Sequence, residues 1–177
     1  YEDTESFYQL IKKIEAIYKD QVTLIAVEDG SLNHLIDLKQ CPATLSLMIL
    51  RLKRNVGHQK AIAIGLGYLE DKIVETTRVV IMDSDGEDCP ETINELINFL
   101  DHEQVDIAVS IRKSRVETLQ FKFFYQIYRF IFKFLTGHNI RFGNFMALKC
   151  RAVKRLLNYT ELQTHVAGTV ILSKCRM

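Results

Sequence analysis

Four short apolar runs, rich in β-branched residues, punctuate the first part of the chain: VTLIAV at 22–27, LSLMIL at 45–50, RVVIM at 78–82 and VDIAVS at 105–110. Each reads as a strand buried on both faces, because neither alternates with polar residues as a half-solvated strand does. Between them lie segments with helical spacing. Phe7, Leu10, Ile11, Ile14, Ile17 and Tyr18 predict an amphipathic helix over 4–19. A short helix is expected over 33–39, another from Gly57 to Glu70, and a third over 91–102 with Pro90 at its first turn. Strands that alternate with helices require a mainly parallel sheet covered on both faces, an α/β architecture. Further on, 145–149 reads as a strand and Arg151 to Asn158 as a helix.

That architecture says where to look for chemistry, since ligands of open parallel sheets sit at the carboxyl ends of strands. EDGS (28–31), DSDGED (83–88) and SIRKSR (110–115) all occupy such ends. Asp83 and Asp85 lie two residues apart on a tight turn, where two carboxylates can converge on one hard cation. Mg2+ or Mn2+ held there would bridge diphosphate oxygens and neutralise a leaving nucleoside diphosphate. Glu87 continues the series as a third oxygen donor. Asp29 can accept from a nucleobase N–H, or else cap backbone N–H groups of a plain turn. Arg54 to His58 precedes a helix whose N-terminal N–H groups can face phosphate. Gly65-Leu66-Gly67 falls inside that helix and not after a strand, which excludes a dinucleotide-binding loop.

Charge is unevenly distributed although the net charge is only +1. No acidic residue occurs from Thr118 to Thr160, while Lys122, Arg129, Lys133, Arg141, Lys149, Arg151, Lys154 and Arg155 do. Such asymmetry points to an anionic partner for the later part. The stretch 121–134 interleaves eight aromatic residues with Lys122, Arg129 and Lys133, so a helix over 118–136 lying near a membrane or an apolar acceptor is expected. No run reaches about 20 apolar residues, the length a membrane-crossing helix needs. Cys41, Cys89, Cys150 and Cys175 are far apart and form no CxxC pair, so reduced thiols in a cytoplasmic protein are expected. Both ends read as cut from a longer protein.

The elements YED (1–3), VEDGS (27–31), RNVGHQKAIAIGL (54–66), DSDGEDCPE (83–91) and SIRKSR (110–115) resemble, in order and spacing, those of family 2 glycosyltransferases. The polyprenol-phosphate sugar transferases are the most similar branch. The resemblance covers roughly residues 1–150. It implies a GT-A fold, a Rossmann-like sheet whose first strand is missing from this piece. That strand would separate 22–28 from 78–82, so these two should not pair. The resemblance also implies a nucleotide-binding part at 1–115 and an acceptor-side part at 116–177. By position it makes Tyr1, Asp3, Asp29 and Asp83 nucleotide-sugar contacts, Asp83, Asp85 and Glu87 metal ligands, and Asp85 and Arg112 catalytic. Arg112, with Arg115 and Lys122, would hold an acceptor phosphate.

Departures from the family pattern are Glu2, Asp3 and Glu87, together with Gly143-Asn144-Phe145-Met146 in place of an element carrying an acidic and a basic residue. The expected activity is inverting transfer from a UDP- or GDP-sugar to a polyprenyl phosphate at the cytoplasmic face of a membrane. No nucleic-acid partner is expected. The acceptor follows from an absence. Transfer to a hydroxyl needs a general base, and almost no carboxylate follows Asp106, whereas a phosphate monoester is already largely ionised at neutral pH, its second pKa being about 6. Alternatives are a transferase acting on a saccharide hydroxyl, a non-catalytic nucleotide-sugar-binding module, and a haloacid-dehalogenase-type phosphatase. The last lacks the later carboxylates its metal site needs.

Overall fold

The computed structural model describes residues 3–111 and 142–177. Helix α1 spans Thr4–Tyr18 and is opened by Asp3, whose side chain accepts from the Ser6 backbone N–H at 3.1 Å. Strand β1 (Thr23–Glu28) and strand β2 (Ser46–Arg51) follow, then α2 (His58–Leu69) and β3 (Arg78–Ile81). Next come α3 (Ile93–His102), β4 (Ile107–Val109), β5 (Met146–Lys149), α4 (Cys150–Leu157) and α5 (Val166–Leu172). Pro90 opens a 3-10 turn that runs into α3, and α2 does contain Gly65 and Gly67.

Strand β1 pairs with β2 in parallel, from Thr23 opposite Ser46 to Glu28 opposite Arg51. β3 and β4 flank β5, both antiparallel to it, and so run parallel to each other. Among the described residues β1 and β3 share no ladder, as the expected topology requires. The two sheets share the cover of α1 and α3 on one face. On one face Phe7, Ile11 and Ile14 of α1 and Leu96 and Leu100 of α3 join a core with Leu24 and Ala26 of β1, Leu47 and Ile49 of β2, and Val80 of β3. On the other face Ala63 and Leu66 of α2 and Val153 and Leu156 of α4 meet Val79 and Ile81 of β3, Ile107 of β4, and Met146 and Leu148 of β5. Val79 and Val80 thus enter opposite cores, as the two-residue period of a strand requires. α2 also reaches β1: a Cβ on Gly65 would stand 3.0 Å from Val27 Cγ2.

One short helix is displaced. Residues 33–37 form a loop, and only Leu38–Gln40 makes a 3-10 turn. Side chains take the backbone groups a helix would have used. The Ile36 N–H donates to Glu28 Oε1 at 2.8 Å, and the Asp37 N–H to the Tyr8 hydroxyl at 2.8 Å. The Ile36 carbonyl accepts from Arg51.

The C-terminal segment is fastened by Asp106. Its carboxylate accepts from Arg151 and from the Arg176 backbone N–H. The backbone N–H groups of Asp106 and Ile107 both donate to the Arg176 carbonyl. Burial pushes the Asp106 carboxyl up, but the Arg176 N–H and the Arg151 guanidinium outweigh it and hold the group below the usual carboxylate range.

Candidate active site

The acidic ends of β1 and β3 both lie against the N-terminus of α2. At the end of β1, Glu28 and Asp29 are both buried. Glu28 faces Arg51 in register on β2 and pairs with it at 2.9 Å. Asp29 turns both carboxylate oxygens onto the loop entering α2. Oδ1 accepts from the Val56 N–H at 2.7 Å and Oδ2 from the Gly57 N–H at 2.9 Å. An anion at this position also favours the positive end of the helix dipole. The close approach requires Gly30. Its φ is +67°, and a Cβ there would fall 2.3 Å from the Arg54 carbonyl carbon and the Asn55 nitrogen.

At the end of β3 the chain makes a tight turn through Gly86, whose φ is +84°. Buried Asp88 holds the turn closed by accepting from the Asp83 N–H at 2.8 Å. Asp85 Oδ1 accepts from the Glu87 N–H at 2.9 Å, the local bond an Asp makes in a turn. Asp85 and Glu87 are exposed, and Asp83 is half-buried. Asp83 Oδ1 is shut from solvent and stands 3.3 Å from Nε2 of His58, the first residue of α2. His58 Nε2 is also 2.8 Å from Asn144 Nδ2. Asn144 Oδ1 in turn accepts from Gln59 at 3.4 Å, and Gln59 Oε1 accepts from the Val166 N–H at 2.7 Å.

Of the residues nominated from sequence, Asp29, Asp83, Asp85 and Glu87 are therefore placed on the loops that flank the start of α2. Asp3 caps α1. Tyr1, Arg112, Arg115, Lys122 and the aromatic helix expected over 118–136 lie outside the described residues. The structure adds Glu28, Asp88, His58, Gln59 and Asn144. An acidic residue at a strand end was a usable signal for Glu28. For the His58–Asn144 contact there was none, because partners 86 residues apart in sequence become neighbours only in the fold. Asp88 lay within the DSDGED turn, but its acceptor role toward the Asp83 N–H shows only in the structure.

Two carboxylates on one turn suit a small hard cation that takes the rest of its shell from substrate phosphates and water. Among the described residues no group of three or more His, Cys, Asp or Glu side chains forms a ready-made cage. Mg2+ is usually held in just this shared way, by one or two carboxylates and the substrate. The donor set therefore fits such an ion. No described helix is long and apolar enough to cross a membrane.

The model of the family described as "Glycosyl transferase family 2" matches residues 2–157. An uncharacterized glycosyltransferase, YkcC, of Bacillus subtilis (strain 168) is 26% identical over 170 residues, covering 92% of this chain and 50% of that protein. The dodecaprenyl-phosphate galacturonate synthase of Rhizobium johnstonii is 26% identical over 125 residues, covering 67% of this chain and 36% of the relative. The chain thus spans half the length of one curated relative and about a third of the other. With the family matched across most of its length and an α/β fold carrying acidic loops at its strand ends, the chain belongs to glycosyl transferase family 2.

Proposed function

We propose that this chain is the donor-binding catalytic domain of an inverting glycosyltransferase that moves a sugar from a UDP- or GDP-sugar to a polyprenyl phosphate. The observation that carries the reading is the placement of Asp83: at the carboxyl end of β3, beside the first residue of α2, and linked through His58 to Asn144 just before β5. In this reading that contact brings the donor loop after β3 beside the segment leading into β5.

In this reading Asp83 and Asp85, with Glu87 beside them, hold Mg2+ or Mn2+. Such an ion supplies charge neutralisation for the departing nucleoside diphosphate. Asp29 stabilises the loop 54–57 and so sets the backbone against which the nucleotide lies. Tyr1 and Asp3 complete the nucleoside side, Asp3 from its place at the start of α1. Asp88 keeps the turn 83–88 from opening. Arg112, Arg115 and Lys122 position the acceptor phosphate, whose ionised oxygen attacks the anomeric carbon from the face opposite the leaving group. No protein base is needed for that attack, because a phosphate monoester is largely dianionic above its second pKa of about 6. The acceptor class is supported by the basic composition of 118–160 and by the similarity to a dodecaprenyl-phosphate galacturonate synthase. The site works at the cytoplasmic face of a membrane, where such a lipid is presented.

The test is an acceptor competition. Full-length protein with its nucleotide sugar is offered polyprenyl phosphate and the matching polyprenol. Transfer to the phosphate alone is expected, with an Arg112→Ala variant raising the apparent KM for it. Comparable transfer to the neutral alcohol overturns the lipid-phosphate acceptor. Nucleotide-sugar binding without any turnover overturns the enzymatic reading in favour of a binding module.

A further inference from the structure

The relay from α5 to His58 has a fixed polarity. The Val166 backbone N–H can only donate, so the Gln59 atom 2.7 Å away is the carbonyl oxygen. Gln59 then presents its amide N–H groups to Asn144, whose oxygen accepts and whose Nδ2 is left to donate. The atom 2.8 Å from Asn144 Nδ2 is His58 Nε2. It must accept. A neutral imidazole has one donor and one acceptor nitrogen, so the ring proton resides on Nδ1. Nε2, carrying a lone pair, therefore stands 3.3 Å from Asp83 Oδ1, another electron-pair donor.

We propose that His58 Nε2 is a nitrogen ligand, beside Asp83 Oδ1, of the divalent cation, and that Asn144 and Gln59 serve to set its tautomer. This rests on the reading of Asp83 as a metal ligand. Two ligands each about 2.1 Å from one ion at near-right angles lie about 3 Å apart, close to the separation found. Asn144 donates to the Nε2 lone pair until a cation takes its place. The departure at Gly143-Asn144 thereby acquires a purpose. A carboxylate at position 144 would accept from Nε2–H, place the proton on the nitrogen facing Asp83, and block coordination. An imidazole donor also shifts preference from Mg2+ toward transition ions such as Mn2+.

Pulsed EPR of the full-length protein with Mn2+ alone tests this, since no nucleobase nitrogen is then present to confuse the signal. The expected result is a directly bound nitrogen coupling in the wild type. It disappears in His58→Gln, which keeps its circular dichroism and binds Mn2+ about tenfold more weakly, within the range typical of losing one supporting group at a metal site. Asp83→Asn should lose the bound Mn2+ itself. Mn2+ bound in an Asp83-dependent way but without nitrogen coupling, or with coupling that survives His58→Gln, overturns the proposal and leaves the Asp83 metal reading standing. Failure of the wild type to bind Mn2+ at millimolar concentration overturns both.

Discussion

After β1, the carboxylates of Glu28 and Asp29 are buried and occupied by backbone N–H groups and Arg51. After β3, Asp83 is half-buried, Asp85 is exposed, and the buried structural acid is Asp88, five residues further on. Both loops end a buried strand and both are rich in acid, yet one uses its first two carboxylates to build the scaffold while the other places a separate acid in that role. Acidic residues at strand ends are therefore not one kind of signal. What separates them is burial: Glu28 and Asp29 are buried against the groups they hold, while Asp83 is half-buried and Asp85 exposed. A carboxylate that accepts two backbone N–H bonds is a poor candidate for a mobile ligand, and one held beside an imidazole on the rim is a good one.

That comparison is sharpest under substitution. Asp83→Asn should cut sugar transfer by on the order of 10²-fold or more, as loss of a charge-stabilising group in a transition state does. Its thermal midpoint should stay near the wild-type value. Asp29→Ala should do the reverse in kind. It removes the charged acceptor of two part-buried N–H donors, at Val56 and Gly57, the second of which keeps a bond to Asn55 Oδ1. The loss should be about 3 kcal/mol, seen in chemical denaturation, given that hydrogen bonds to charged groups contribute roughly 1.5–3 kcal/mol each. A stable Asp29→Ala variant would dissolve the distinction between the two loops.

Gly30→Ala probes the same loop with a smaller step. The added methyl meets backbone, not a movable side chain, and about 1–3 kcal/mol of destabilisation is expected, as for overpacking generally. An unchanged midpoint would mean that loops 29–31 and 54–57 are not in contact. The smallest effect is expected far from the site, at Asp106. Its folded pKa is held below the ordinary value near 3.9. Its contribution to stability is thus present above that value and is lost as pH falls through the lower folded one. Asp106→Asn should flatten the acid limb of the stability–pH curve below about pH 4 and leave sugar transfer at neutral pH unaffected. Parallel acid limbs in the two proteins would show that Asp106 is not the clamp of the C-terminal segment.

Strands were readable from their apolar, β-branched content, although β2 is not buried on both faces as expected: its burial nearly alternates and Met48 is exposed. LSLMIL and RVVIM need no partner to announce themselves, and the observed Ser46–Arg51 and Arg78–Ile81 differ from expectation only at their ends. The separation of β1 from β3 was likewise foreseen, through the family resemblance. Pairing was less readable. Nothing in residues 146–149 says that this strand inserts between β3 and β4 and runs against them, since apolar content fixes burial but not neighbour or direction. Helix α5 (VAGTVIL) went unread because it is short, β-branched and contains Gly168, and because its cap, His165 accepting from the Gly168 N–H at 3.0 Å, is an unusual one. Asp83 and Asp85 were singled out by their place after a buried strand, and the structure places them on the loop after β3. Asp29 was left open between nucleobase contact and loop cap, and only the N–H groups of Val56 and Gly57, 27 and 28 residues away, show which role its oxygens play in this structure.

The central claim is that the loop after β3 binds a nucleotide sugar through Asp83 and a divalent cation. A thermal-shift panel of UDP- and GDP-sugars, each with and without Mn2+, on the wild type and Asp83→Asn measures it directly. A ligand present at a hundred times its Kd stabilises by about 2.7 kcal/mol, or roughly 5–10 °C for a domain of this size. The account predicts such a shift with one nucleotide class, in the wild type, only when Mn2+ is present. No shift with any nucleotide sugar, or an equal shift in Asp83→Asn, would contradict it.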